Sequence, residues 1–379
     1  MWREISDNIV RTSIERVSRL LGDVSYSYVL ELANVVRDVK NIVIKNLQDH
    51  VNRFIESATR REAQVHVARS VYELHQILGR LVSKDDVVIC SKSMVCEEAH
   101  VRKFLMSEVG CEVWETDVGE FILQVTGQVP SHITAPSIHI KRSEIAKALR
   151  ERVGIDVSDD ASPREIVQVI RKFLRDKYVR ATVGITGANA LAADTGSVLI
   201  VENEGNARLV SALPRKHIVI TGIEKVMPTL VHAFLTCLVQ CFFAGVYPSA
   251  YINIITGRSN TTDVERVRVS PAQGPEEVHI ILLDNGRSTA AEDPILWEGL
   301  RCIRCGRCLM HCPVYHVTGP GYGEPPYIGP MGIMWTAITR GVKYATKYAI
   351  MCLQCGNCSK VCPMRIDIRK IIAHIRKVA

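Results

Sequence analysis

CIRCGRCLMHCP, residues 302–313, and its twin CLQCGNCSKVCP, residues 352–363, decide how the C-terminal part of this 379-residue chain is built. Each run has the spacing C-x2-C-x2-C-x3-C-P. Three close thiolates of such a run hold three corners of one 4Fe-4S cube, and the fourth, displaced beside its proline, reaches the other cube. On this reading Cys302, Cys305, Cys308 and Cys362 hold one cluster, and Cys352, Cys355, Cys358 and Cys312 hold the second. Gly306 and Gly356 fall at equivalent places, where a residue without Cβ lets the backbone wrap inorganic sulfide and aim amides at it. Two plain C-x2-C pairs would suit tetrahedral zinc, but eight thiolates in duplicate four-cysteine runs exceed what one zinc needs.

Outward from the cysteines, the insert Val314–Met351 is loop in its Gly- and Pro-rich first part (HVTGPGYGEPPYIGP) and helical in its second (MGIMWTAITRG). The tail DIRKIIAHIRKV from Asp367 reads as a basic amphipathic helix. Insert and tail predict a helical two-cluster ferredoxin module over 291–379. Between residues 62 and 290, short β-branched runs alternate with helical stretches: VVIC at 87, EVWET at 112, ATVGIT at 181, SVLIVE at 197, HIVITG at 217, YINIITG at 251 and VHIILLDNG at 278. That alternation predicts an α/β domain with a mostly parallel sheet covered by helices. Residues 1–61 read as amphipathic helices leading into it.

Composition narrows the function. The formal charge of +7 falls to about +3 once eight thiolates and two oxidised cubes are counted, too small an excess to argue for nucleic acid. Arg301, Arg304, Arg307, Lys360, Arg365, Arg369 and Lys370 cluster near the cysteines; they either attract an acidic redox partner or balance the clusters' own charge. The start, MWREISDNIVRTSIERV, is charged from its third residue and has no apolar run with a cleavage site, so a cytoplasmic protein is expected. Cys90, Cys96, Cys111, Cys237 and Cys241 are then expected as buried small hydrophobes rather than bridges. No charge occurs from Val226 to Gly257, but His232, Thr236 and Gln240 interrupt the run and Pro228 and Pro248 bracket it. A core helix, with no membrane span, is the expectation there.

Polar turns follow the predicted strands, where open α/β sheets bind ligands. Ser91, Lys92 and Ser93 follow the first, with Glu97 and Glu98 opening a helix; Ser93 either caps that helix or meets a ligand. Glu115, Thr116, Asp117, Gly119 and Glu120 make an acidic turn. TGANALAADTG at 186–196 offers glycines and hydroxyls to an anion, yet it is neither a P-loop nor a dinucleotide fingerprint. ENEGN at 202–206 is a hydrogen-bonded turn or an acid/base pair. His132 and His139 read as structural.

SKSMVCEE, ETDVGEFILQVTGQVPSHITAPSIH, VGITGANALAADTGSVLIVENEGNARL, LPRKHIVITGIEKVMPTL and EVHIILLDNGRS, in that order and followed by CIRCGRCLMHCPVY, resemble the LutB-type iron–sulfur proteins of L-lactate utilisation. The resemblance runs from about residue 62 to the end. It implies an LUD domain of the sugar-isomerase/CoA-transferase-like type fused to a two-cluster ferredoxin module. It further implies work with a cysteine-rich CCG-domain subunit and a second LUD protein to oxidise L-lactate to pyruvate. The family's recurring positions fall here on Ser91, Lys92, Ser93, Glu97, Glu115, Asp117, Gly119, Glu120, His132, Thr186, Gly187, Asn189, Thr195, Gly196, Glu202, Asn203, Glu204, Gly205, Asn206, Glu224 and Lys225. Among them, Ser91, Lys92, Ser93, Glu97, Thr186, Gly187, Asn189, Thr195, Gly196, Glu202 to Asn206 and Glu224 are the expected pocket residues. The chain carries no flavin or nicotinamide fingerprint, so it is expected to be an electron-transferring subunit of an oxidoreductase rather than a complete enzyme. The competing reading is an LUD enzyme acting on a sugar phosphate or acyl-CoA, with Glu202 or Glu204 as its working carboxylate and the clusters structural or regulatory.

Overall fold

The computed structural model describes residues 2–378. Ten strands organise its α/β region: β1 (Gln64–Ala68), β2 (Val87–Cys90), β3 (Glu112–Glu115), β4 (Val183–Thr186), β5 (Ala190–Ala192), β6 (Ser197–Glu202), β7 (Lys216–Gly222), β8 (Val226–Met227), β9 (Tyr251–Ile255) and β10 (Glu277–Leu283). Six of them form one sheet in the order β1-β10-β7-β4-β2-β3, every pair parallel. The central strands β4, β7 and β10 are almost wholly buried because helices cover both faces, which is why they read as continuous apolar runs rather than alternating ones. Val88 and Cys90 pack to one side with Leu74, Leu78 and Leu105; Ile89 packs to the other with Phe121, Leu149, Ile170 and Leu174. The helix Pro163–Arg180 shows the local logic. Ser162 and Glu165 close a capping box, proline opens the first turn, and Ile166, Ile170, Leu174 and Tyr178 repeat at four-residue intervals on the buried face.

A second sheet, β8-β5-β6-β9, branches from the first and mixes directions: β5 and β6 pair antiparallel, as do β6 and β9. The uncharged stretch forms the helix Leu230–Phe243, which lies on this sheet through Ala233 and Cys237 and meets the ferredoxin core through Val239, Phe242 and Phe243. Burial on several sides accounts for its lack of charge. No helix among the described residues is long and apolar enough to cross a membrane. Cys90, Cys96, Cys111, Cys237 and Cys241 are all buried and free.

The helix Tyr28–Lys45 joins the two halves. Val29, Ala33 and Val36 enter the core of the cysteine module, while Val43 and the next helix's Leu47, Val51 and Phe54 enter the core under β7 and β10. In the module itself, the insert supplies the buried helix Gly329–Arg340 around Trp335, and the tail forms Ile368–Lys377 with Ile368, Ile371, Ile372 and Ile375 inward.

Gly184 in β4 marks the tightest helix–sheet approach: a Cβ there would lie 1.9 Å from the Val210 carbonyl oxygen, a backbone atom that cannot rotate away. Gly184→Ala is therefore expected to destabilise the protein by about 1–3 kcal/mol. A lowered denaturation midpoint checks this; an unchanged one would show that the helix Asn206–Ala212 can slide.

Candidate functional site

The two cysteine runs adopt the same backbone turn. Arg304 (φ 58°) and Gly306 (φ 78°) of the first match Gln354 (φ 55°) and Gly356 (φ 79°) of the second, and each run passes into a one-turn helix, Arg307–Met310 and Asn357–Lys360. Left-handed residues at these alternating places bend each run sharply. Electrostatic contacts link the thiols within each run and between the runs. After burial, charge on Cys305 is disfavoured by Cys362 and Cys302, charge on Cys362 by Cys302, and charge on Cys308 by Cys302, Cys305, Cys358 and Cys362. Cys312 instead feels Cys352 and Cys355, and Cys358 feels Cys312 and Cys352. Cys312, Cys352, Cys355 and Cys358 border a single gap closed by Tyr322 and Pro330. Burial, with the neighbouring thiols adding to it, pushes Cys305 and Cys358 up to about 12 and Cys312 and Cys362 up to about 11. Crowded, desolvated thiols of this kind become thiolates when metal charge offsets their repulsion, so this all-thiol donor set suits 4Fe-4S clusters. The first run faces the α/β domain; the second is nearer solvent, with Cys355 and Leu353 exposed.

Arg304, between two of these cysteines, ties the cluster loop to the α/β domain. Its guanidinium donates to Glu224 Oε1 at 3.0 Å and lies over the Trp335 ring at 4.2 Å. Glu224 Oε2 accepts from Arg287 Nε at 2.6 Å, and Arg287 donates to both oxygens of Glu98 at 3.0 and 2.7 Å. Tyr327 donates to Glu98, and Lys40 Nζ donates to the Glu224 carbonyl at 2.9 Å. All seven side chains are buried. Desolvation is the largest single influence on Glu224 and opposes its charge, yet Arg287, Arg304, Lys225 and Lys40 together hold it down to about 2. Lys225 beside it is pushed down to about 7, by burial first and by Arg304 next.

A cleft of about 280 Å³ opens directly above this network, at the C-terminal ends of β2, β4, β6 and β7. Ser91, Lys92, Ser93, Gly187, Asn189, Glu202, Asn203, Glu204 and Asn206 line it, together with Asp117, Thr134, Lys225, Gln240, Cys241 and Arg304. Gly187 lets two of the loops meet, since a Cβ there would be 2.6 Å from Ser93 Oγ. Ser93 also caps its helix through Cys96 N at 3.3 Å, and Lys92 Nζ donates to the Thr134 carbonyl at 2.9 Å. Asn189 is fixed from both ends, donating to Gln240 at 2.7 Å and accepting from Val201 N at 2.9 Å. Asn203 accepts from Ala250 N at 2.9 Å, and Asn206 donates to Thr116 Oγ1 at 3.4 Å. Glu202 Oε1 accepts from Arg208 N at 3.1 Å and Asn253 Nδ2 at 2.7 Å, whereas its Oε2 has no partner among the described residues. Glu204 is exposed as a residue, but its carboxyl turns onto Val118 N at 3.1 Å; desolvation, then Asp117, raises it to about 7.

Other expected positions, Asp117 apart, lie off the cleft. Thr186 is buried against His217 Nε2 at 2.8 Å, and Thr195 bonds Ser197 at 2.8 Å. Gly196 packs on Ala58, where a Cβ would fall 2.3 Å from its nitrogen, and Gly205 is the left-handed entry (φ 76°) to the helix Asn206–Ala212. Glu97 borders a separate surface depression with Arg102, and Glu224 lies within the ion network below. Of the acidic turn, Glu115 pairs with Arg102 at 3.3 Å, Asp117 caps the helix Val118–Thr126 through Glu120 N, and buried Glu120 rises to about 8, first by desolvation and then by Glu97. Gly119 packs on Pro136. His132 Nδ1 accepts from the backbone of Thr134 and Ala135, and burial pushes the ring down to about 3. Arg304, Gln240 and Cys241 were not legible as cleft residues. Arg304 reads in sequence as a surface charge near the cysteines, but it and Arg301 (to Glu298, 2.6 Å) are buried and paired, whereas Lys360, Arg365, Arg369 and Lys370 are exposed.

Comparison with known proteins places this arrangement. The LUD domain family matches residues 51–283, and a 4Fe-4S dicluster domain matches residues 298–366. The chain belongs to the LUD-domain family, in the form that carries a ferredoxin-type iron–sulfur module. Among its relatives are the "Uncharacterized electron transport protein YkgF" of Escherichia coli K12, 34% identical with 99% of this chain and 78% of that one covered, and "Lactate utilization protein B" of Bacillus pumilus SAFR-032, 32% identical with the same coverage. Lactate utilization protein B of Bacillus cereus AH820 is 34% identical over 90% of this chain and 70% of its own length. A crystal structure of a duf162 family protein from Deinococcus radiodurans aligns with 62% of this chain and 98% of its own at a TM-score of 0.35 and 14% identity.

Arg287→Met leaves Glu98 and Glu224 buried with too few cations, so a loss of about 3–5 kcal/mol is expected. Thermal melting of the variant beside the parent checks it; a melt unchanged within a degree would deny the network its structural role.

Proposed function

We propose that this chain is the electron-transferring subunit of a complex that oxidises L-lactate, or a closely related 2-hydroxy acid, with one 4Fe-4S cluster on Cys302, Cys305, Cys308 and Cys362 and the other on Cys312, Cys352, Cys355 and Cys358. The observation that carries the reading is that Arg304, inside the first cluster loop, also forms part of the cleft wall. Redox chemistry in the cleft, or in a partner docked over it, thus lies beside the first tetrad. Oxidising a 2-hydroxy acid to the 2-oxo acid releases two electrons and two protons, and paired one-electron cubes are suited to take the electrons singly. The chain's own residues position and insulate: Glu224 and Arg304 fix the first loop, and Trp335, Tyr327 and the helix Tyr28–Lys45 keep water from it.

The exposed second loop is the exit on this reading. Residues 341–379 carry eight Lys and Arg against the single acid Asp367, so an acceptor with an acidic face is favoured there. We assign as partners the cysteine-rich CCG-domain subunit and second LUD protein that the resemblance implies, and place the complex in the cytoplasm. The names of the relatives, electron transport in one and lactate utilization in the others, support the assignment.

Cys305→Ser and Cys355→Ser should each bleach part of the broad visible absorption and stop lactate-dependent reduction in the anaerobically isolated complex. A spectrum unaltered by both substitutions would remove the cysteines from cluster ligation.

A further inference from the structure

We propose that the cleft of this chain itself binds a small organic hydroxy anion, its anionic group on Lys225 and a hydroxyl on the open carboxylate oxygen of Glu202. This deepens the electron-transfer reading by placing the substrate class in this subunit rather than in a partner. Lys225, in the turn after β7, is only 7% exposed and borders the cleft. Among the described residues its ammonium makes no hydrogen bond and meets no carboxylate within ion-pair distance, because the oxygens of neighbouring Glu224 are engaged by Arg287 and Arg304. Glu202, 6% exposed, borders the same cleft with Oε2 unpartnered. A buried amine and a buried carboxylate oxygen, each without a hydrogen-bond partner among the described residues, are costly. One molecule carrying an anionic group and a hydroxyl satisfies both at once, with Arg304 reinforcing the positive end.

The volume, about 280 Å³, stands at the small end of ligand sites, which run from roughly 300 to 1,000 Å³. It admits a small metabolite. A 2-hydroxy carboxylate and a phosphorylated polyol share the required chemistry, and the probes separate them. Anaerobically purified protein with both clusters is titrated calorimetrically with L-lactate in one arm and ribose 5-phosphate in the other. Saturable binding in either arm, weakened tenfold or more by Lys225→Met and by Glu202→Ala at unchanged cluster absorption, is expected, and the responding arm names the class. The parent's cluster absorption reports folding, with Lys225→Gln as the milder variant if Lys225→Met loses it. No heat in either arm, or binding indifferent to both substitutions, overturns the proposal. Missing cluster absorption in the parent protein would instead sink the electron-transfer reading, so the two failures are told apart.

A different observation carries a second inference: His132 donates a hydrogen bond to a sulfur of the first cluster. Its Nδ1 accepts from the N–H groups of Thr134 at 3.2 Å and Ala135 at 3.3 Å, which assigns the ring proton to Nε2. That nitrogen is buried without a partner among the described residues, and the ring borders the same narrow gap as Cys305 and Gly306. The ring also packs on the loop itself, since a Cβ on Gly306 would lie 3.6 Å from His132 Cε1. Hydrogen bonds to cluster sulfurs favour the reduced state, so His132 is a positioning and tuning residue contributed by the LUD domain. His132→Phe should move the midpoint potential of one cluster downward in an EPR-monitored redox titration, with iron content unchanged, and His132→Gln should restore part of the shift. His311 Nε2 borders the same gap and is also unpartnered. Potentials unmoved by His132→Phe, or moved only by His311→Phe, overturn the assignment.

Discussion

The Glu224 carboxylate, buried between Arg287 and Arg304, is the contact on which the two halves of this protein depend. It stands at the end of β7 in the LUD sheet, while Arg304 belongs to the cluster loop and Arg287 to the connection between them. A lone buried carboxylate would protonate or force its surroundings apart. Here two guanidiniums and two lysines keep it charged, and Glu98 with Tyr327 completes the satisfaction of Arg287. The ion pair also helps hold Arg304 in a left-handed conformation that costs a non-glycine residue on the order of 1–2 kcal/mol. A cluster loop and a ligand cleft thereby share one side chain.

From that constraint the molecule acquires a direction. The first cysteine run faces inward, packed against the helices Tyr28–Lys45 and Leu230–Phe243, while the second opens to solvent at Cys355. The polar turns after β2, β4, β6 and β7 meet where a parallel sheet gathers its strand ends, and the ion network forms the floor beneath them.

Much of this was legible in residues alone. The cysteine spacing carried the iron–sulfur module, matched over residues 298–366, because C-x2-C-x2-C intervals are a local property of the chain. The seven long β-branched runs are all strands, since buried parallel strands are apolar throughout. The short strands β1, β5 and β8 were not legible: ALA and VM have no periodicity to read, and the histidine in QVHVA hides its pattern. Nor was the branching of β6 and β9 into a second sheet, which only pairing across about 50 residues decides. At the site, the serines, asparagines and glutamates of the turns were recognisable, whereas Thr186, Thr195 and Gly196 do not line the cleft. Arg304 was the hardest to read. A charged residue beside metal-binding cysteines ordinarily faces water, and its partner lies 80 residues away.

The most direct measurement is iron and acid-labile sulfide per chain in material prepared without air, read alongside its EPR spectrum after dithionite reduction. The account predicts about eight of each per chain and a spectrum of two interacting clusters, as adjacent cubes require. Zinc in place of iron, or a single magnetically isolated cluster, would contradict it.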